Sequence, residues 1–225
     1  MVGKPVRLFI AIEHPLVRRG LITFSRDHED MRIVGEAADG ETALRAVTAT
    51  KPDIVIVHAD LPLRSGHDVV RDLRKREQRP RTIILVPLNN RDSLRAAMAA
   101  PADAFLLTTD LPQHIVRTAR MLMTGRQFTC PLLAACRDAI LDDAVPDRVR
   151  AALDAKELQL FSQLTRQRNA SQIARALRIP PADVAHLRVQ MCEKLHADAD
   201  QPGDVIHPRD MFIHGDDEES PRMAS

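Results

Sequence analysis

The sequence predicts an α/β chain: a doubly wound sheet of five parallel strands followed by a small all-α unit. Three observations carry this reading. Five short, nearly continuous apolar runs alternate with amphipathic stretches between Val6 and about Thr124, the pattern of a parallel sheet covered on both faces. Pro52, Pro62, Pro80, Pro101 and Pro112 punctuate the connections. From Ala151 onward the apolar period becomes helical.

Taken in order, the expected strands are V-R-L-F-I-A-I (6–12), M-R-I-V-G-E-A (31–37), D-I-V-I-V (53–57), T-I-I-L-V (82–86) and D-A-F-L-L (103–107). Valine, isoleucine and leucine supply most of their apolar residues, as suits strands buried on both faces of a sheet. Between and after them lie helical patterns at 16–24, 40–47, 67–74, 93–98 and 111–122. Residues 125–150 read as a linker with a helical turn around 132–138. Three short helices follow, at 152–164, 169–177 and 180–195. Asn169 and Gln172 have the spacing of a capping box, and Pro180 and Pro181 mark the start of the third helix. From residue 198 the chain turns acidic and rich in Pro and Gly, a composition that predicts a disordered tail.

Composition narrows the function classes. Of 225 residues, 44% are hydrophobic and 28% charged, an ordinary globular balance, and no apolar run approaches the roughly 20 residues a membrane helix needs. The opening M-V-G-K-P-V-R-L-F-I-A-I is cut short by Glu13 and His14 and has no small-residue cleavage site, so it reads as a strand and not a signal peptide. Cys130, Cys136 and Cys192 make neither a disulfide framework nor a C-x-x-C pair, which fits a cytoplasmic protein. The nine histidines are scattered without metal-ligand spacing, and no cofactor motif is present.

The stretch D-I-V-I-V-H-A-D-L-P (53–62) sets a histidine, His58, at the carboxyl end of a buried strand, where ligands and chemistry gather in α/β sheets. Around it, E-H-P-L-V-R-R-G-L (13–21), V-G-E-A-A-D-G-E-T-A-L (34–44), the loop with Pro62 and Gly66, and G-R-Q-F-T-C-P (125–131) resemble the receiver of NarL/FixJ-type bacterial response regulators. The resemblance implies a flavodoxin-like receiver over residues 1–124. Such receivers move a phosphoryl group onto an aspartate, using a magnesium ion held by carboxylates, a hydroxyl and a lysine.

Followed residue by residue, the resemblance finds a degenerate pocket. The usual acidic pair falls at Ile12 and Glu13, the acceptor aspartate at His58, the hydroxyl at Val86 and the lysine at Thr108. Isoleucine and imidazole do not supply the hard oxygen ligands that magnesium needs. The receiver is therefore expected not to be phosphorylated by the usual aspartate route. Asp60 stands two residues beyond the strand end, away from Glu13. For His58 the residues leave two readings: an imidazolium beside Glu13, with a raised pKa, or a neutral ring hydrogen-bonded to backbone. A metal site from Glu13, His14 and His58 is disfavoured, because adjacent side chains point apart.

The second unit, 151–197, resembles the LuxR-type helix-turn-helix that follows receivers in that family. The resemblance makes residues 182–196 the recognition helix and double-stranded DNA the partner. Val184, Leu187, Met191 and Leu195 form its apolar face. Ala185, His186, Val189, Gln190 and Lys194 lie opposite; His186 and Gln190 are suited to base edges, and Arg166, Arg168, Arg175, Arg178, Arg188 and Lys194 to phosphates. Ala185 and Val189 stand where the family commonly has basic residues, Gln167 replaces a helix-closing glycine, and Pro202 and Gly203 interrupt the family's dimerisation helix.

Two function classes follow. The first is an atypical response-regulator transcription factor that binds DNA. The second is a protein-interaction regulator with a pseudo-receiver and no direct DNA contact, engaging a protein partner at the receiver face. Neither is an enzyme, neither needs a cofactor or a membrane, and either is compatible with a homodimer. The acidic run 216–219 solubilises the chain or covers the basic domain.

Overall fold

The computed structural model describes residues 4–88, 91–108, 112–141, 145–166 and 168–198. Its centre is one parallel sheet of β1 (Val6–Ala11), β2 (Met31–Ala37), β3 (Ile54–His58), β4 (Arg81–Val86), β5 (Ala104–Leu107) and β6 (Phe128–Thr129), in the order β2-β1-β3-β4-β5-β6. The first five strands follow the flavodoxin-like order. The sixth corrects the expected count of five. It lies in the stretch expected to be a linker, where Phe128 N–H donates to Asp103 O at 3.2 Å and Cys130 N–H to Phe105 O at 2.8 Å. A strand of two residues is too short to leave a periodic pattern in sequence.

Helices α1 (Pro15–Arg26), α2 (Gly40–Thr50), α3 (Gly66–Arg74), α4 (Arg91–Met98) and α5 (Pro112–Met123) connect the strands. Their starts are set locally. Pro15 opens α1, the Asp39 carboxylate accepts the Thr42 N–H to cap α2, and the Ser65 hydroxyl accepts the Asp68 N–H to cap α3. Between the helices, Phe9, Ile54, Val55, Ile83, Ile84, Phe105 and Leu106 have no solvent exposure at all. Burial of that apolar surface is the main stabilising term.

The rest of residues 125–150 holds α6 (Pro131–Leu141) and the start of α7 (Asp147–Ala152). Helices α8 (Ala155–Thr165), α9 (Ala170–Leu177) and α10 (Pro181–Asp198) complete the second unit. Asp154 and Glu157 form a capping box at α8, and Asn169 and Gln172 form the expected one at α9. Helix α6 touches β5 on one side and α8 and α10 on the other, so its buried Leu133, Ala135 and Cys136 join one apolar core that runs through both units to Phe161 and Met191. Residues 199–225, including the acidic run 216–219, lie outside the described residues.

One buried carboxylate ties the sheet to α3. Asp103, 4% exposed, accepts the Thr82 N–H at 2.9 Å, the Thr82 hydroxyl at 3.2 Å and the Arg81 guanidinium at 2.9 Å. Arg74, from the last turn of α3, lies 3.7 Å away. Removing the carboxylate orphans a buried N–H and a guanidinium. Asp103→Ala is expected to lower the urea-unfolding free energy by about 2–4 kcal/mol. A loss below about 0.5 kcal/mol, the range of an ordinary surface substitution, would show that the network holds nothing.

Candidate functional site

The carboxyl ends of β1, β3, β4 and β5, neighbours in that order, meet at one edge of the sheet. They bring Ile12, Glu13, His58, Val86 and Thr108 to a common mouth. Ile12 and Val86 are buried, at 1% and 0% exposure, and present only hydrocarbon. Thr108, half-buried, continues from β5 and donates its backbone N–H to Val86 O at 3.1 Å.

His58 is fixed by backbone. Its Nδ1 accepts the N–H of Asp60 at 3.2 Å, which leaves the ring proton on Nε2. Burial pushes the imidazole below its ordinary range, against a smaller opposing pull from Asp60. This is the neutral-ring reading, and it corrects the alternative of an imidazolium paired with Glu13. Glu13 is exposed and forms no ion pair among the described residues. The reason lies in α1. Arg18 donates its Nη1 to the carbonyls of both Ile12 and Glu13 and its Nε to Glu36 at 3.2 Å, which holds the β1–α1 turn in place.

The loop after β3 closes tightly over the strand end. Gly66 N–H donates to Ala59 O at 2.8 Å, and a Cβ at Gly66 would sit 2.1 Å from His58 O. Only glycine fits there. Leu63, 78% exposed, takes a left-handed φ of 63° in the same loop. Asp60, also exposed, accepts a hydrogen bond from the Ser93 hydroxyl on α4. Sequence reasoning missed Arg18 and Ser93, because Ser93 is 33 positions from Asp60 and neither side chain differs in type from an ordinary helix residue. Among the described residues, no three His, Cys, Asp or Glu side chains gather as a metal ion would require.

A second feature adjoins this mouth. A cleft of about 220 Å³ separates Pro87, Leu88 and Thr108 on one wall from Leu164, Arg168 and Arg188 on the other. Arg188 of α10 therefore lies across the cleft from the ends of β4 and β5. On the same helix Ala185, His186 and Gln190 are exposed, Val189 is half-buried, and Val184, Met191 and Leu195 form the buried face as expected. Arg175 and Arg178 are exposed at the end of α9, with Arg178 at a left-handed φ of 54°. Lys194 is engaged within the unit: its Nζ lies 2.6 Å from the buried Glu157 carboxylate and 3.8 Å from Asp154. The Glu157 hydrogen bond raises the Lys194 ammonium above its ordinary value.

A histidine kept neutral by folding binds fewer protons than the same histidine unfolded. Its contribution is therefore fully present above the ordinary value of 6.5 and is lost as pH falls from there through the lower, folded-state value. The unfolding free energy is expected to fall as pH is lowered below about 6.5, and His58→Gln is expected to remove part of that fall. An unchanged pH slope in the variant would contradict the neutral, backbone-bonded ring.

Residues 8–119 match the family model described as "Response regulator receiver domain". Over 199 residues the chain is 26% identical to the response regulator UvrY of Escherichia coli O6:H1, covering 87% of this chain and 90% of that protein. It is 26% identical over 193 residues to "Probable transcriptional regulatory protein NarL" of Mycobacterium tuberculosis, covering 85% and 88%. The solved signal receiver domain of NarL from Mycobacterium tuberculosis matches with a TM-score of 0.51 at 27% identity, over 55% of this chain and 100% of that one. No helix among the described residues is long and apolar enough to cross a membrane. Residues 8–119 are thus similar to a response regulator receiver domain, and over most of its length the chain is similar to the response regulator UvrY and to the NarL protein.

Proposed function

We propose that this chain is a DNA-binding transcription regulator whose receiver, residues 1–124, works without aspartyl phosphate. Residues 125–150 join it to a LuxR-type helix-turn-helix at 151–197, and an acidic tail follows. The observation that carries the reading is His58, neutral and bonded to backbone at the place the resemblance gives to the acceptor aspartate. Phosphoryl transfer needs a free nucleophile, a metal and cations on the phosphoryl oxygens. Here Nδ1 is occupied, Nε2 carries the proton, Ile12 and Val86 offer no polar atom, and Thr108 carries no charge.

For DNA, α10 offers His186 and Gln190 for base edges, while Arg175 and Arg178 at the end of α9, with Arg166, suit phosphates; Arg168 lines the cleft beside Thr108. Arg188 and Lys194 face other protein groups instead. That observation favours the second reading, a protein-interaction regulator without DNA contact, more than composition alone does. Binding of the full chain to its own upstream DNA and to random DNA, titrated over salt, separates the two. The regulator reading expects specific binding, and a salt slope that falls by about one for each of Arg175→Ala and Arg178→Ala. Absence of specific binding at low salt, with residues 199–225 removed as well as present, would favour the interaction module.

A further inference from the structure

A cavity of about 650 Å³ opens at the amino-terminal edge of the sheet, away from His58. Its walls are the end of α2 with Lys51, the α3–β4 connection and the end of α5. That connection reads R-K-R-E-Q-R-P-R, residues 74–81, a basic run that the receiver chemistry leaves unused.

Four cations, Lys51, Arg76, Arg79 and Arg81, line the cavity against two carboxylates, Asp53 and Glu77. Several of these are committed. Arg76 donates to Thr48 Oγ1 at 2.9 Å and Leu44 O at 3.1 Å, Arg81 pairs with Asp103, and Asp53 accepts the Arg7 N–H at 2.8 Å. The carbonyl end of α2 is covered too: Thr50 O accepts from Arg7, and Val47 O accepts the Lys51 N–H at 3.0 Å. Lys51 and Arg79 remain, exposed and without a carboxylate partner among the described residues, and Glu77 is the one uncommitted opposing charge.

The other part of the wall is apolar. Leu122 is buried, and Met123, 47% exposed, stands at the rim. A concave site of this size matches small-molecule sites, which run to several hundred Å³ with an apolar lining and a few placed charges. A nucleic-acid strand would call for an extended surface instead. Arginine and lysine together suit phosphoryl oxygens, the first as a planar fork and the second as a point charge.

We propose that this cleft binds a phosphorylated small molecule of mononucleotide size, its phosphoryl group on Lys51 and Arg79 and its apolar body against Met123. Such a ligand touches the last residue of α5. The chain then passes through Thr124 and Gly125, whose φ of 83° only glycine adopts without strain, into β6 and α6. Occupancy of the cleft therefore acts on the segment that leads to the helical unit.

Calorimetric titration of the full chain with adenosine monophosphate as the probe tests this, with adenosine and inorganic phosphate as its separate halves. Saturable binding is expected for the whole probe, with each half weaker. The double variant Lys51→Ala/Arg79→Ala is expected to weaken binding by about tenfold or more, since the loss of even one charge-assisted hydrogen bond accounts for about that factor. Both side chains are exposed, so its urea midpoint should match that of the parent. No binding of the probe at millimolar concentration, or equal binding by the double variant, would overturn the proposal. DNA binding measured on the same samples reports on the regulator reading separately.

Discussion

The arrangement of this protein depends on β3, a strand with no room beside it. Ile54, Val55 and Val57 are wholly buried and Ile56 is 1% exposed, between β1 on one side and β4 on the other. The loop that follows folds back until Gly66 meets Ala59 and His58 through backbone atoms alone. Whatever side chain stands at residue 58 is thereby held at the mouth between Ile12 and Val86. An ionised carboxylate at that place, with hydrocarbon beside it and no metal or lysine, would bear an uncompensated desolvation cost. A neutral imidazole taking one backbone N–H avoids that cost. The residues at 12, 58, 86 and 108 are thus mutually consistent, each suited to a pocket without a fixed charge.

Much of this was legible in sequence. Nearly continuous apolar runs placed β1 to β5 within a residue or so, because strands buried on both faces leave such runs. The capping residues Asn169 and Gln172 were legible because their interaction is local. What was not legible was non-local. Glu13 was one expected partner of His58, but Arg18, five residues further on, binds the turn carbonyls and leaves the Glu13 side chain in solvent. The Asp60–Ser93 hydrogen bond and the Lys194–Glu157 ion pair join residues far apart in the chain, and no periodic pattern encodes them. The second of these takes from the candidate DNA face a lysine that sequence had assigned to phosphate.

Helix α6 explains how two units share one core. It leaves β6 at the edge of the sheet, lies against β5, and supplies the buried face on which α8 and α10 rest. The cleft between Thr108 and Arg188 lies beside this shared core. Changes at the carboxyl ends of β4 and β5 can therefore reach the helical unit through packing, which needs no covalent modification. Val86 is wholly buried and carries no hydroxyl, so under the proposed function an input acts by preferential binding to one arrangement.

The central claim is that the carboxyl edge of this sheet does not accept a phosphoryl group. Its most direct measurement is the intact mass of the full chain after incubation with acetyl phosphate and magnesium. The account expects an unchanged mass. A gain of one phosphoryl group that Asp60→Asn abolishes would contradict it, and would make the exposed carboxylate beside His58 the acceptor.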